Sequence, residues 1–182
     1  SRIKFHFPLH SSGLNIIFSM EAIVTNYDIA RYFEESGNLL DIKGDNQFRV
    51  RSYLNAARTI SELSQSVTDM VHNNEDLTEL PGIGKELSQK IIEIVETDEL
   101  TFLRNLKKEI PESVLELLRI EGLGGKKIGK LYHELGIKNF DDLERAINKN
   151  KIQNLEGFGK KSEEKIKNEL ERVKKSSGED RF

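Results

Sequence analysis

LPGIGKELSQKI at residues 80–91, IEGLGGKKIGKL at 120–131 and LEGFGKKSEEKI at 155–166 share one pattern. Each runs apolar residue, Pro or Glu, Gly, apolar residue, Gly, then a polar stretch closing on a Lys-apolar pair. Three copies in register exceed what a chance Gly-x-Gly produces, and internal repetition of this kind governs the reading of a whole chain.

The spacing has a physical sense. The first glycine of each pair (Gly82, Gly122, Gly157) can take the positive φ that ends an incoming helix. The apolar residue between the glycines (Ile83, Leu123, Phe158) can tuck between two helices and fix their angle. The second glycine (Gly84, Gly124, Gly159) carries no side chain where the next helix begins, so backbone N–H groups stay open to an anion. Gly125 extends that opening in the second copy. Lysines follow at once: Lys85 and then Lys90; Lys126, Lys127 and Lys130; Lys160 and Lys161. These are helix-hairpin-helix motifs suited to the phosphates of a nucleic acid, and contacts of that kind read charge and shape, not base sequence. The bland alternative, tight αα-hairpins with glycine stops, explains one copy equally well. It explains three lysine-flanked copies poorly.

The rest of the chain sets bounds. Its 182 residues suffice for one or two small domains. Charged residues make up 32% and aromatics 7%, and period-2 alternation is missing, so the expected fold class is all-α, made of short helices in tandem hairpin units. There is no Cys, which excludes disulfides and thiolate zinc sites and makes a cytoplasmic, nucleoid-associated location the expectation. No apolar run approaches the ~20 residues of a membrane span. The net charge of −3 hides patches of opposite sign: residues 62–79 are acidic, whereas 119–131 hold four basic residues against one acidic.

Thr25 or Asn26 can cap a first helix with Ile29, Ala30, Phe33, Leu39 and Leu40 inside. A second helix follows the turn at 44–46, with Phe48, Tyr53, Ala56, Ala57, Ile60 and Leu63 at core spacing. Residues 1–19 read as a leader or tag, and 176–182 as a polar, flexible tail. His6 and His10 have metal-ligand spacing, but Pro8 between them argues against a helix. His72 and His133 read as surface residues, and the mixed charges of 163–175 as a helix exterior.

NQFRVRSYLNAARTI (46–60), the first repeat, and RIEGLGGKKIGKLYHELGIKNFDDL (119–143) occur in an order and separation that resemble the amino-terminal part of the family X DNA polymerases, the beta-like repair enzymes. The likeness covers about 26–174 and is nearest to prokaryotic members. It implies a lyase-type helical domain at 20–103 and a second, DNA-gripping helical region at 104–175. It further implies that the first hairpin holds DNA downstream of a gap near a 5′ phosphate, and the second the upstream side. Backbone carbonyls would bind a monovalent cation, K+ or Na+: those of Thr78, Leu80 and Ile83 at the first hairpin, and of Leu118, Ile120 and Leu123 at the second. No divalent metal site is expected. The likeness ends before the family's palm. Asp141-Asp142 is the only adjacent Asp pair, and neighbours on a helix diverge by about 100°, so the pair suits a helix start better than a two-metal centre.

The resemblance also assigns a Schiff-base lysine, Lys90, with Tyr53 beside it. Here the chain departs from the pattern. Glu86 and Phe102 stand where beta-type enzymes carry supporting lysines, Gln89 replaces a glutamate, and Phe48 replaces a histidine that stacks on DNA. The leading expectation is therefore a binding module of a repair polymerase for gapped or nicked DNA, working beside a palm domain if the chain is a fragment. A deoxyribose-phosphate or abasic-site lyase is the enzymatic alternative, and a helical protein-interaction scaffold the third. Arg49, Arg51 and Arg58 either extend the phosphate track or form a solvated face.

Overall fold

A computed structural model describes residues 23–179; the leader and His6/His10 lie outside the described residues. Eight α-helices and three short 3-10 segments follow one another, and no strand occurs among the described residues. This is the all-α architecture expected.

Helix α1 (Asn26–Lys43) starts where the sequence supplies a cap. The Thr25 hydroxyl oxygen accepts a bond from the Asp28 amide, and the Asp28 carboxylate accepts one from the Thr25 amide at 2.8 Å. This capping box satisfies two amides that would otherwise lack partners. Gly44, at φ 86°, ends the helix, and Asn46 caps α2 (Gln47–Glu62) through a 2.8 Å bond from the Phe48 amide. The pair packs closely because Gly37 offers no side chain: a Cβ there would lie 2.7 Å from Leu54. Ile29, Phe33, Leu39, Val50, Tyr53, Ala56 and Ile60 fill the interface. Each large side chain so buried contributes about 1.5–3 kcal/mol. Phe48, expected in this core, is 77% exposed. It falls in the first turn of α2, where the helix has already turned that position outward.

Helices α3 (Val67–His72), α4 (Lys85–Thr97) and α5 (Thr101–Glu109) complete the first region. Beyond them come α6 (Gly125–Leu135), α7 (Phe140–Asn148) and α8 (Lys160–Glu179). The boundary expected at 103/104 falls inside α5, whose Leu103 and Leu106 are buried, and one apolar cluster runs from Val24 to Val173. Helix α6 sits directly on the carboxyl end of α1. A Cβ on Gly129 would come within 2.5 Å of the Ile42 carbonyl oxygen, and one on Gly125 within 2.3 Å of Asp41. His133 places Nε2 3.2 Å from the same Ile42 oxygen.

Two further expectations change. Helix α8 continues through the supposed tail to Glu179, and the Ser177 hydroxyl both bonds the Val173 carbonyl and accepts from Arg119 at 2.9 Å. Glu163, taken for helix exterior, is 6% exposed and accepts the Gln153 amide at 2.9 Å. It satisfies the first amide run of the segment leading into the third hairpin, which the charge pattern alone conceals.

Candidate nucleic-acid interface

Each hairpin is entered through a 3-10 segment, not an α-helix: Leu77–Glu79, Glu112–Arg119 and Ile152–Asn154. A four-residue turn follows in each. The Ile83 amide bonds the Leu80 carbonyl at 3.1 Å, Leu123 bonds Ile120 at 3.1 Å, and Phe158 bonds Leu155 at 3.0 Å. The third residue of every turn is the first glycine, at φ 76°, 91° and 84°. That is a type II turn, which favours Pro at its second place and Gly at its third. Pro81 occupies the second place in the first copy, and the Thr59 hydroxyl fastens its carbonyl at 3.0 Å. Ile83 and Leu123 are buried as expected, while Phe158 is only half-buried.

The second glycine is different in kind. Gly84 (φ −86°, ψ −177°) and Gly124 (φ −95°, ψ 176°) have extended backbone open to any residue. A Cβ at 84, 124 or 159 would meet nothing within 4 Å. Among the described residues nothing requires glycine at these places, and no side chain caps α4 or α6. The helix starts are bare toward solvent, with their dipoles favouring an anion. Lys85, Lys126, Lys127, Lys160 and Lys161 surround them, all exposed.

Other residues named for phosphate have internal partners. Gly125 is buried against Asp41. Lys130 reaches from α6 to the third turn, its Nζ 2.7 Å from the Glu156 carbonyl and 3.2 Å from its carboxylate. Lys127 places Nζ 3.4 Å from the Gly122 carbonyl and 5.7 Å from the Phe158 ring centre. Lys165, which the sequence reading passed over, stands on α8 with Nζ 3.9 Å from the Cβ position of Gly122. The repeated closing Lys-apolar pair was the signal that could have marked it.

Lys90 and Tyr53 do come together, through Glu86. Lys90 donates to Glu86 Oε1 at 2.9 Å, and the Tyr53 hydroxyl lies 3.5 Å from the same oxygen. The Tyr53 ring stacks on Phe102 at 5.1 Å and meets Phe33 edge-on. Lys90 and Arg49 both lie over Phe102, at 5.2 and 5.1 Å from its centre. Burial pushes the Tyr53 phenol well up, and the Glu86 charge adds to the rise. The bond from Lys90 holds the Glu86 carboxyl below its ordinary value. Arg49 also pairs with Asp45 at 3.3 Å, Arg51 turns back to the Gln47 carbonyl, and Arg58 is exposed.

Asp141 and Asp142 lie in the first turn of α7, where Asp142 accepts the Lys138 amide and pairs with Arg145. They serve a helix start, as the sequence suggested. No helix among the described residues is long and apolar enough to cross a membrane.

Glycine-turned hairpins three times over, with bare helix starts behind the first two, define a helix-hairpin-helix protein. Family comparison agrees: residues 24–100 match a family described as "Helix-hairpin-helix domain", and 114–172 one described as "SAM-like Helix-hairpin-helix tandem". The chain is 40% identical over 139 residues, 76% of its length, to the DNA polymerase/3'-5' exonuclease PolX of Bacillus subtilis. A DNA ligase of Natranaerobius thermophilus is 43% identical over 61 residues, 34% of this chain and 9% of the ligase. Over three quarters of its length the chain is thus similar to the helix-hairpin-helix region of a family X DNA polymerase, and it spans 24% of the length of the Bacillus relative.

Proposed function

We propose that this chain binds DNA through its phosphate backbone, without regard to base sequence, and prefers gapped or nicked duplexes carrying a 5′ phosphate. The observation that carries the reading is the second glycine of each hairpin. The fold does not need it, yet it keeps three lysine-flanked turns bare. The relatives' names support DNA as the partner, and a catalytic palm domain would supply any polymerisation. Repair of short gaps is the setting this implies.

A monovalent cation, K+ or Na+, fits the hairpin carbonyls. Pro81 has no N–H, so the Thr78 carbonyl cannot be closed by a 3-10 bond from it. Among the described residues the Leu80 carbonyl accepts the Ile83 amide alone, which leaves its second lone pair. Thr78, Leu80 and Ile83 would hold the ion at the first hairpin, and Leu118, Ile120 and Leu123 at the second. The ion's positive charge would draw a phosphate toward the turn.

Lys90 is better placed for binding than for lyase chemistry. A Schiff base needs a neutral amine. To attack a sugar carbon, Lys90 would have to leave Glu86 and shed a proton; where it stands, it adds positive charge beside Arg49.

The test is a titration of a gapped duplex, with and without its 5′ phosphate, at two salt concentrations. Binding that weakens with salt and with loss of the phosphate is the expected result. Absence of binding at low salt overturns the reading and leaves the scaffold alternative. Borohydride trapping on abasic DNA, wild type against Lys90→Ala, gives no Lys90-dependent adduct.

A further inference from the structure

Lys90, Lys130 and Lys165 occupy the same place in the three repeats, the lysine before the closing apolar residue. Their partners differ. Lys90 bonds Glu86 on its own helix. Lys130 crosses from α6 to the third turn and binds Glu156 twice. Lys165 makes the return crossing, from α8 to the second turn at Gly122. The second and third hairpins thus exchange equivalent lysines.

The exchange is unbalanced. In the third turn the incoming ammonium finds the Glu156 carboxylate. In the second turn the counterpart acid is Glu121, which makes no ion pair with an incoming ammonium among the described residues. Lys165 has no carboxylate partner among the described residues, and neither has Lys127, which reaches the same turn from α6. Two ammonium groups from different hairpins therefore flank one exposed glycine. Like charges so placed repel each other, and an anion between them converts that cost into attraction. Lys126 also stands exposed in the first turn of α6.

We propose that Lys165 is a phosphate ligand of the second hairpin supplied by the third, and that Lys127 and Lys165 together take one internucleotide phosphodiester. The third hairpin then contributes to binding even where its own turn touches no DNA, because α8 delivers its lysine to the neighbour. Lys130, by contrast, is a positioning residue, tying the third turn in place so that α8 presents Lys165. The proposal rests on the DNA-binding reading above.

The experiment uses the full chain and a short fluorescein-labelled duplex, with anisotropy measured over a salt series. Each phosphate contact contributes about 0.9 to the slope of log affinity against log salt. Lys165→Met should lower that slope, by at most about 0.9 because Lys127 stays on the same phosphate, and weaken binding several-fold at low salt, while Lys165→Arg keeps the slope. Lys167→Met, an equal charge change at an exposed position about 200° round α8 from Lys165, leaves it unaltered. A Lys165→Met slope equal to wild type, or a Lys167→Met loss equal to that of Lys165→Met, overturns the proposal while DNA binding stands. A wild-type chain that fails to bind at low salt overturns both. Lys165 is exposed, so melting temperatures should match across the set.

Discussion

Lys130 Nζ lies 2.7 Å from the Glu156 carbonyl and 3.2 Å from its carboxylate, joining α6 to the turn of the third hairpin. The backbone acceptor is the closer one, so the two possible deletions are unequal. Lys130→Met loses both bonds and should cost about 0.5–1 kcal/mol, with faster amide exchange through residues 155–160. Glu156→Gln keeps the carbonyl bond and should cost less. Equal losses in urea melts would show the carboxylate to be the stronger tie.

The second glycines invite a substitution that separates folding from binding. Serine at 84 or 124 fits the extended backbone, meets no neighbour within 4 Å, and can cap the helix. Stability should change by only a few tenths of a kcal/mol, upward if the cap forms. DNA affinity should fall, because the hydroxyl occupies the amides meant for phosphate. Paired melts and titrations of Gly84→Ser and Gly124→Ser check both halves.

Gly129→Ala should behave in the opposite way. The new methyl would sit 2.5 Å from the Ile42 backbone oxygen, which no rotamer change can move. Overpacking of about 1–3 kcal/mol outweighs the helix-propensity gain of roughly 1 kcal/mol. At Gly178, where a Cβ meets nothing within 4 Å, the same substitution should be neutral or mildly stabilising. Urea midpoints of the two variants will differ in sign.

Tyr53 gives the alkaline limb of stability. Its phenol is pushed up by burial and then by Glu86, so the folded chain keeps a proton that the unfolded chain releases near pH 10. A raised value means stability that is fully present below about pH 10 and drains away as pH rises past it. Tyr53→Phe removes that slope. Melting temperatures from pH 8 to 11 should fall less steeply in the variant, and parallel curves would exclude the assignment.

Glu86 is the acid facing Lys90, with Arg49 near. Glu86→Gln deletes a negative charge beside the first hairpin. Affinity for DNA bearing a 5′ phosphate should rise several-fold at low salt, and the gain should shrink as salt screens it. A variant with unchanged affinity would place the 5′ phosphate elsewhere.

The fold was legible where a local rule acts alone. Thr25 with Asp28, the glycines at 82, 122 and 157, and the core spacing of Ile29 and Phe33 all read directly from sequence. What escaped depends on contacts made far along the chain. Glu163 looks like surface until Gln153 is brought to it. Phe48 looks like core because helix phase at a first turn is ambiguous within a residue or two. For the interface, the glycines and flanking lysines were visible at once. The different fates of Lys130 and Lys165 were not, because repeat equivalence says where a lysine stands and not which turn lies opposite.

The packing of α5 and of α6 on α1 has a consequence for how this region could be dissected or inherited. The two family matches, 24–100 and 114–172, suggest two beads on a string. Leu103, Leu106 and Ile110, which belong to neither match, are all within 4% of full burial. The unmatched stretch is mortar. A clone ending at 103 would split α5 and bare the flank of α1, so neither bead should melt as an independent unit. Shuffling one hairpin region for another's would then have to carry its seam along.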